Sequence, residues 1–233
     1  MLKAVQHNTA ILVFANSASL EFEQKPFAKN TALFEELNKD TLTKVKKTGL
    51  PYFHFTEKEQ LGNSFGERFV NAIEEIYKKG YDNVITIGND SPQLKTTHLL
   101  EANKQLQLGK TVLGPTFDGG FYLMGLHKSN FDASLFLRLP WQRFGLFNRI
   151  SQLFENSNSH LFRLPVFEDI DTEKDIVKLL GFSKSLSITI TNILLSIQQK
   201  VLSLFRLKII TCFELFSFPL FNKGSPVLLP FSY

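Results

Sequence analysis

The chain alternates between short, wholly apolar runs and longer stretches in which apolar residues recur every three or four positions. Ala10 to Ala15 is a six-residue run of Ile, Leu, Val and Phe type that ends in Asn16-Ser17. That is the profile of a strand buried on both faces. From Thr31 to Lys47, Leu33, Phe34, Leu37, Leu42 and Val45 form a helical stripe, stopped by Thr48-Gly49. Tyr52 to Phe55 predicts a second strand, and Phe65 to Lys79 a second helix with Phe69, Val70, Ile73 and Ile76 inward and Gly80 as its stop. Strands over Asn83–Gly88, Thr111–Gly114 and Phe121–Leu126, with a helix over Thr96–Leu108, continue the series. A last helix is expected from Glu173 to Leu180. Strands separated by helices of this length imply crossover connections. The expected fold class is therefore α/β, a three-layer αβα domain with a mainly parallel sheet.

In such sheets ligands lie beyond the carboxyl ends of the strands. Four segments occupy those places: Asn16-Ser17, Gly88 to Pro92, Gly114 to Gly120, and Asp169 to Thr172. Asp90 follows an apolar strand, so its carboxylate is either a hard oxygen ligand for Mg²⁺ or Mn²⁺ or a helix cap before Ser91-Pro92. Asp118-Gly119-Gly120 is either a tight turn or a place where substrate approaches the backbone beside a carboxylate. Asp169 and Asp171 alternate in an extended segment and face the same way. Their repulsion would be relieved by a divalent cation; the alternative is that Asp171 or Thr172 caps the helix that follows, with Asp175 completing a turn like a capping box. Gly62 to Arg68 enters the second predicted helix, with Arg68 either a phosphate clamp or an ordinary surface residue.

Composition narrows the class. Of 233 residues, 43% are hydrophobic and 24 are Phe, which excludes a disordered or low-complexity chain. A single cysteine, Cys212, excludes an internal disulfide and a cysteine-built zinc site. The formal charge of +4 is carried entirely by residues 184–233, where Lys184, Lys200, Arg206, Lys208 and Lys223 face Glu214 alone. A balanced body offers no electrostatic case for nucleic acid. The first apolar run is too short for a signal-peptide core, so a cytoplasmic location is expected. The chain divides into a domain over 1–183 and an apolar, basic extension over 184–233. Leu186, Ile190, Ile193, Ile197, Val201 and Leu204 share a helical face in that extension. It reads either as a peripheral membrane contact or as a surface packing on its own domain or a dimer partner.

Taken in order, Gly88-Asn89-Asp90-Ser91-Pro92, Val112 through Gly125-Leu126 with Asp118-Gly119-Gly120, Pro140-Trp141 and Asp169-Ile170-Asp171-Thr172 resemble one bacterial family, the glycosyltransferase-A-like group called domain of unknown function 2064. The resemblance covers roughly residues 9 to 182 and implies the fold of nucleotide-diphospho-sugar transferases and of molybdenum-cofactor-type nucleotidyltransferases. It implies a metal-dependent glycosyltransferase with a nucleotide sugar as donor, or a nucleotidyltransferase releasing pyrophosphate. On that basis Asp90 and Asp118 are the candidate catalytic residues and Asp90, Asp169 and Asp171 the ligands of Mg²⁺ or Mn²⁺. Asn16, Ser17, Lys25, Arg68, Gly119, Gly120 and Trp141 are the candidate contacts to substrate or nucleotide. The first loop departs from the family pattern. Where members carry Gly and a Lys-Thr-Arg-Leu run, this chain has Asn16 to Lys25 with neither glycine nor arginine and with Glu21 and Glu23. Phosphate binding there loses charge-assisted hydrogen bonds worth about 1.5 to 3 kcal/mol each. That keeps open a third reading, a non-catalytic nucleotide-binding or scaffold relative.

Overall fold

The computed structural model describes residues 8–25, 31–143, 145–156 and 160–200. It divides into two compact units, Met1–Leu195 and Ser196–Tyr233. Of the proposed extension face, Leu186, Ile190, Ile193 and Ile197 are described, with Ile190 and Ile197 buried, whereas Val201 and Leu204 lie outside the described residues.

Six strands form one sheet: β1 (Thr9–Phe14), β2 (Tyr52–Phe55), β3 (Asn83–Ile87), β4 (Thr111–Pro115), β5 (Phe121–His127) and β6 (Leu161–Arg163). Their order is β2-β1-β3-β5-β4-β6. β1 runs parallel to β2 and β3, and β4 parallel to β6, while β5 is antiparallel to both its neighbours. The fold is α/β, and the sheet is mostly parallel with one reversed strand. The reversal has a local cause. The connection from β4 to β5 is a hairpin closed by the Gly119 amide donating to the Thr116 carbonyl (3.2 Å) and the Thr116 amide donating to the Gly120 carbonyl (3.1 Å). Gly119 takes φ 92° there, a conformation that a side chain would strain.

Seven labelled helices join or flank the strands: α1 (Ala18–Gln24), α2 (Thr31–Lys46), α3 (Phe65–Lys78), α4 (Thr96–Gln107), α5 (Ala133–Leu137), α6 (Leu146–Asn156) and α7 (Glu173–Leu180). Alternation along the strands assigns the layers. Ala10, Leu12, Val84, Leu113, Met124 and Leu126 face Phe69 and Ile73 of α3, Phe136 of α5 and Ile150 and Phe154 of α6. Ile11, Val13, Ile85, Ile87, Val112 and Leu123 face Val45 of α2 and Leu99, Ala102 and Leu106 of α4. Each strand residue thus belongs to one core or the other, as the two-residue period of a strand requires.

The connection through α2 carries the chain from β1 to β2 on one face. The connection through α3 returns it past β1 to β3 on the other. The crevice at the carboxyl ends of β1 and β3 lies at this change of direction, where open α/β sheets bind ligands.

Candidate functional site

A cleft of about 870 Å³ opens at that end of the sheet. It is lined by Phe14 to Asn16 after β1, Ile87 to Asp90 after β3, Thr116, Asp118 and Gly120 after β4, Phe121 and Tyr122 at the start of β5, and Asp169 and Asp171 after β6. Because β5 is reversed, its beginning joins the ends of the parallel strands.

The loops are fixed by their own polar groups. The Asn89 side chain donates to Asn38 Oδ1 (2.8 Å), and the Asn38 side chain donates to the Asn16 carbonyl (3.4 Å), tying the β3 and β1 loops to α2. The Ile170 amide donates to the Asp90 carbonyl (3.1 Å), which brings the segment after β6 against the β3 loop. Tyr122 braces that segment further: its hydroxyl donates to the Pro165 carbonyl (2.9 Å) and its ring stacks on Phe167 at 4.6 Å.

Four aspartates reach the cleft from three loops. Asp118 Oδ1 accepts from the Gly120 amide (2.9 Å) and from the Thr116 hydroxyl, so the turn reading holds while the residue also faces the cleft. Thr172 and Asp175 form the capping box of α7, with the Thr172 amide donating to Asp175 Oδ2 (2.8 Å). Asp171 is therefore free of capping duty and turns inward. Asp90 caps no helix either; α4 starts six residues later, at Thr96, with Lys95 before it. Carboxylate oxygens of Asp118, Asp169 and Asp171 lie within 4.8 Å of one another. Burial raises the Asp169 carboxyl to about 8, and the charges of Asp90, Asp118 and Asp171 add to that rise. Three convergent oxygen donors, one of which resists ionisation without a counter-charge, fit Mg²⁺ or Mn²⁺.

Asp90 belongs to a different set. Lys25 Nζ lies 2.6 Å from Asp171 Oδ1, 3.6 Å from Glu21 Oε2 and 3.7 Å from Asp90 Oδ2, and it donates to the Ile170 carbonyl at 2.9 Å. Burial alone would lower this ammonium; Asp90, Asp171 and Glu21 together hold it well above the usual lysine range. Glu21 is pushed up by its own burial, against the pull of Lys25. The cation expected to meet phosphate is thus engaged by carboxylates.

Ser17 does not line the cleft. Its hydroxyl and amide both donate to Glu57 (2.8 Å each), and its oxygen caps α1. The Asn16 side chain donates to Glu21 Oε1 (3.0 Å) while still bordering the cleft. Gly120 borders it as well; Gly119 serves the turn. Trp141 lines the cleft with its indole N–H given to the Phe136 carbonyl (2.8 Å) and its ring against Phe65 and Phe69. Gly66 explains how that ring fits: a Cβ at this position would stand 2.5 Å from Trp141 Cδ1. The glycine admits an aromatic ring.

Arg68 and Arg143 also line the cleft. Arg143 escaped the sequence reading, although it stands two residues after Trp141. Between them Gln142 takes φ 55°, the only positive φ outside glycine among the described residues. Such backbone is unfavourable for glutamine and concentrates at binding sites. The cleft is therefore lined by aspartates at the strand ends and also by two arginines and an aromatic group.

No curated protein matches this chain. Among solved structures, it is similar to a protein of Desulfovibrio desulfuricans G20 provisionally named a nucleotide-diphospho-sugar transferase, at TM-score 0.71 and 22% identity, covering 83% of this chain and 98% of that one. That likeness establishes the fold. Looser matches include a 4-diphosphocytidyl-2C-methyl-D-erythritol synthase of Anaerococcus prevotii DSM 20548 (TM-score 0.45, 11% identity, 78% and 98% covered). Another is Rv0371C of Mycobacterium tuberculosis H37Rv in complex with manganese (TM-score 0.44, 13% identity, 75% and 98% covered). Residues 32–143, from α2 to the Trp141 loop, match the model of the family described as an uncharacterized protein conserved in bacteria, DUF2064.

Proposed function

We propose that this protein is a metal-assisted glycosyltransferase whose donor is a nucleoside-diphosphate sugar. One observation carries the reading: aspartates from three separate loops converge on a cleft at the switch point of the sheet, which two arginines also line. In this reading Asp118, Asp169 and Asp171 hold one Mg²⁺ or Mn²⁺. That ion, when bound, supplies Lewis-acid neutralisation of charge growing on the diphosphate leaving group. Arg68 and Arg143 bind phosphate oxygens, doing what the first loop cannot. Phe65 and Trp141 form an apolar face beside them, and the Asp118–Gly120 turn borders the acceptor. Asp90 acts through Lys25, as an orienting partner.

The reading is tested by thermal shift of the full chain with nucleotides and nucleoside-diphosphate sugars, with Mn²⁺ or EDTA, alongside Asp118→Asn. A ligand at a hundredfold excess over its Kd stabilises by about 2.7 kcal/mol. The expected result is a Mn²⁺-dependent rise with one sugar nucleotide, absent in the variant. Stabilisation by a nucleoside triphosphate with release of pyrophosphate would instead identify a nucleotidyltransferase. No response to any of these ligands would refute both and leave the scaffold reading.

A further inference from the structure

Lys25 occupies a position that is unusual for a lysine bordering a ligand cleft. Its ammonium has four oxygen neighbours, supplied by Glu21, Asp90, Asp171 and the Ile170 carbonyl, all within 3.7 Å. Its side chain is only 19% exposed. The partners come from α1, the β3 loop and the segment after β6, so the ammonium joins three parts of the chain that the sheet brings together. An oxygen-rich cage of mixed carboxylates and a carbonyl is the donor set expected of a bound cation. Here a tethered monovalent cation fills it.

We propose that Lys25 is a built-in cation that takes the place of a second divalent ion, so that the cleft binds one Mg²⁺ or Mn²⁺ and not two. The inference rests on the metal-assisted reading above and deepens it. Asp171 marks the boundary: its Oδ1 lies 2.6 Å from Lys25, and the same carboxyl belongs to the Asp118–Asp169–Asp171 group. A divalent ion placed between Asp90 and Asp171 would have to displace the ammonium, and two cationic centres in that cage repel one another at a few ångströms. The ion is thereby confined to the side of Asp171 that faces Asp118 and Asp169. The same arrangement accounts for the Asn16–Lys25 loop, which brings Glu21 and Lys25 together one helical turn apart in α1 and at its cap.

The test counts Mn²⁺ bound by the full chain, by electron paramagnetic resonance titration of free Mn²⁺, for the native protein, Lys25→Met and Lys25→Arg. Methionine keeps the bulk of the side chain without the charge; arginine keeps the charge. The expected counts are one ion for the native protein, two for Lys25→Met and one for Lys25→Arg. Circular dichroism of each variant, without and with Mn²⁺, reports folding independently. Should Lys25→Met unfold without metal, its refolding with two bound Mn²⁺ supports the proposal, because the added ion then does the work of the ammonium. Failure to refold with Mn²⁺ overturns it. Two ions on the native protein, or one on Lys25→Met at native affinity, also overturns it while leaving the metal-assisted reading intact. No Mn²⁺ on any form removes that reading and this inference together.

Discussion

Asp169 is the group most sensitive to pH in the cleft, and its replacement by Asn gives a quantitative test of the site's electrostatics. Without metal, its folded-state pKa is raised from 3.8 to about 8, first by burial and then by Asp90, Asp118 and Asp171. Between these values the native state holds a proton that the unfolded chain has already released. The stability contributed by the neutral acid is therefore complete below about pH 4, declines as pH rises through the window, and is gone above about pH 8. At about 1.4 kcal/mol for each pH unit the ceiling is roughly 6 kcal/mol. Asp169 is only half-buried, and screening by water reduces this to about 2 kcal/mol. For a domain of this size that corresponds to about 4 to 8 °C in Tm. Asn is isosteric and cannot ionise. Melting curves of the native protein and Asp169→Asn in EDTA should coincide near pH 4, separate steadily up to about pH 8 and stay apart above it, with the variant the more stable. A separation that does not change with pH would refute the reasoning, because loss of packing or hydrogen bonding has no such dependence. Mn²⁺ at pH 8 should close the gap by stabilising the native protein alone.

Gly66→Ala places a Cβ against the Trp141 ring, and the overpacking should cost about 1 to 3 kcal/mol in urea unfolding, although alanine is the better helix former; a neutral or stabilising result would show that the ring moves freely. Ser17→Ala removes the α1 cap and one of two bonds to Glu57, and should lower stability by about 1 kcal/mol while leaving Mn²⁺ affinity unchanged, which separates its structural role from a direct part in binding. Arg143→Ala should weaken binding of the sugar nucleotide identified by thermal shift at least tenfold, measured by calorimetry, without altering Tm of the free protein; equal affinity would remove Arg143 from the phosphate site.

β1 and β3 were legible because burial on both faces leaves a nearly unbroken apolar run. Tyr52–Phe55 matches its expectation residue for residue, β1 is shifted by one position at both ends, and β3 ends one residue earlier than expected. α3 and α7 were legible from a single apolar stripe with a clear stop. α1 was not, because its seven residues carry Glu21 and Glu23 and no stripe; it is held by the Ser17 cap and by charges that only the fold supplies. α6 had a readable signal that went unused, since Leu146, Ile150 and Phe154 recur every four residues and are all buried. β6 is three residues long and exists because β4 offers it an edge.

The candidate site divides along the same line between local and long-range information. Asp90, Asp118, Asp169 and Asp171 could be singled out because each follows a strand, and strand ends share one side of a parallel sheet. Which of them group together could not be read, because the grouping depends on a lysine 146 positions away from Asp171, whose ammonium draws Asp90 and Asp171 toward itself. Within Asn16–Lys25 the one cation, Lys25, faces carboxylates. A diphosphate bound in this cleft then needs its positive charge from elsewhere. The described cleft offers it in two places: a metal among Asp118, Asp169 and Asp171, and the two arginines. If both Arg68 and Arg143 can be replaced without loss of nucleotide binding, the metal alone must hold the diphosphate. Affinity should then vanish completely in EDTA; if the arginines share the load, a weaker metal-independent component should survive chelation and disappear only in the double variant.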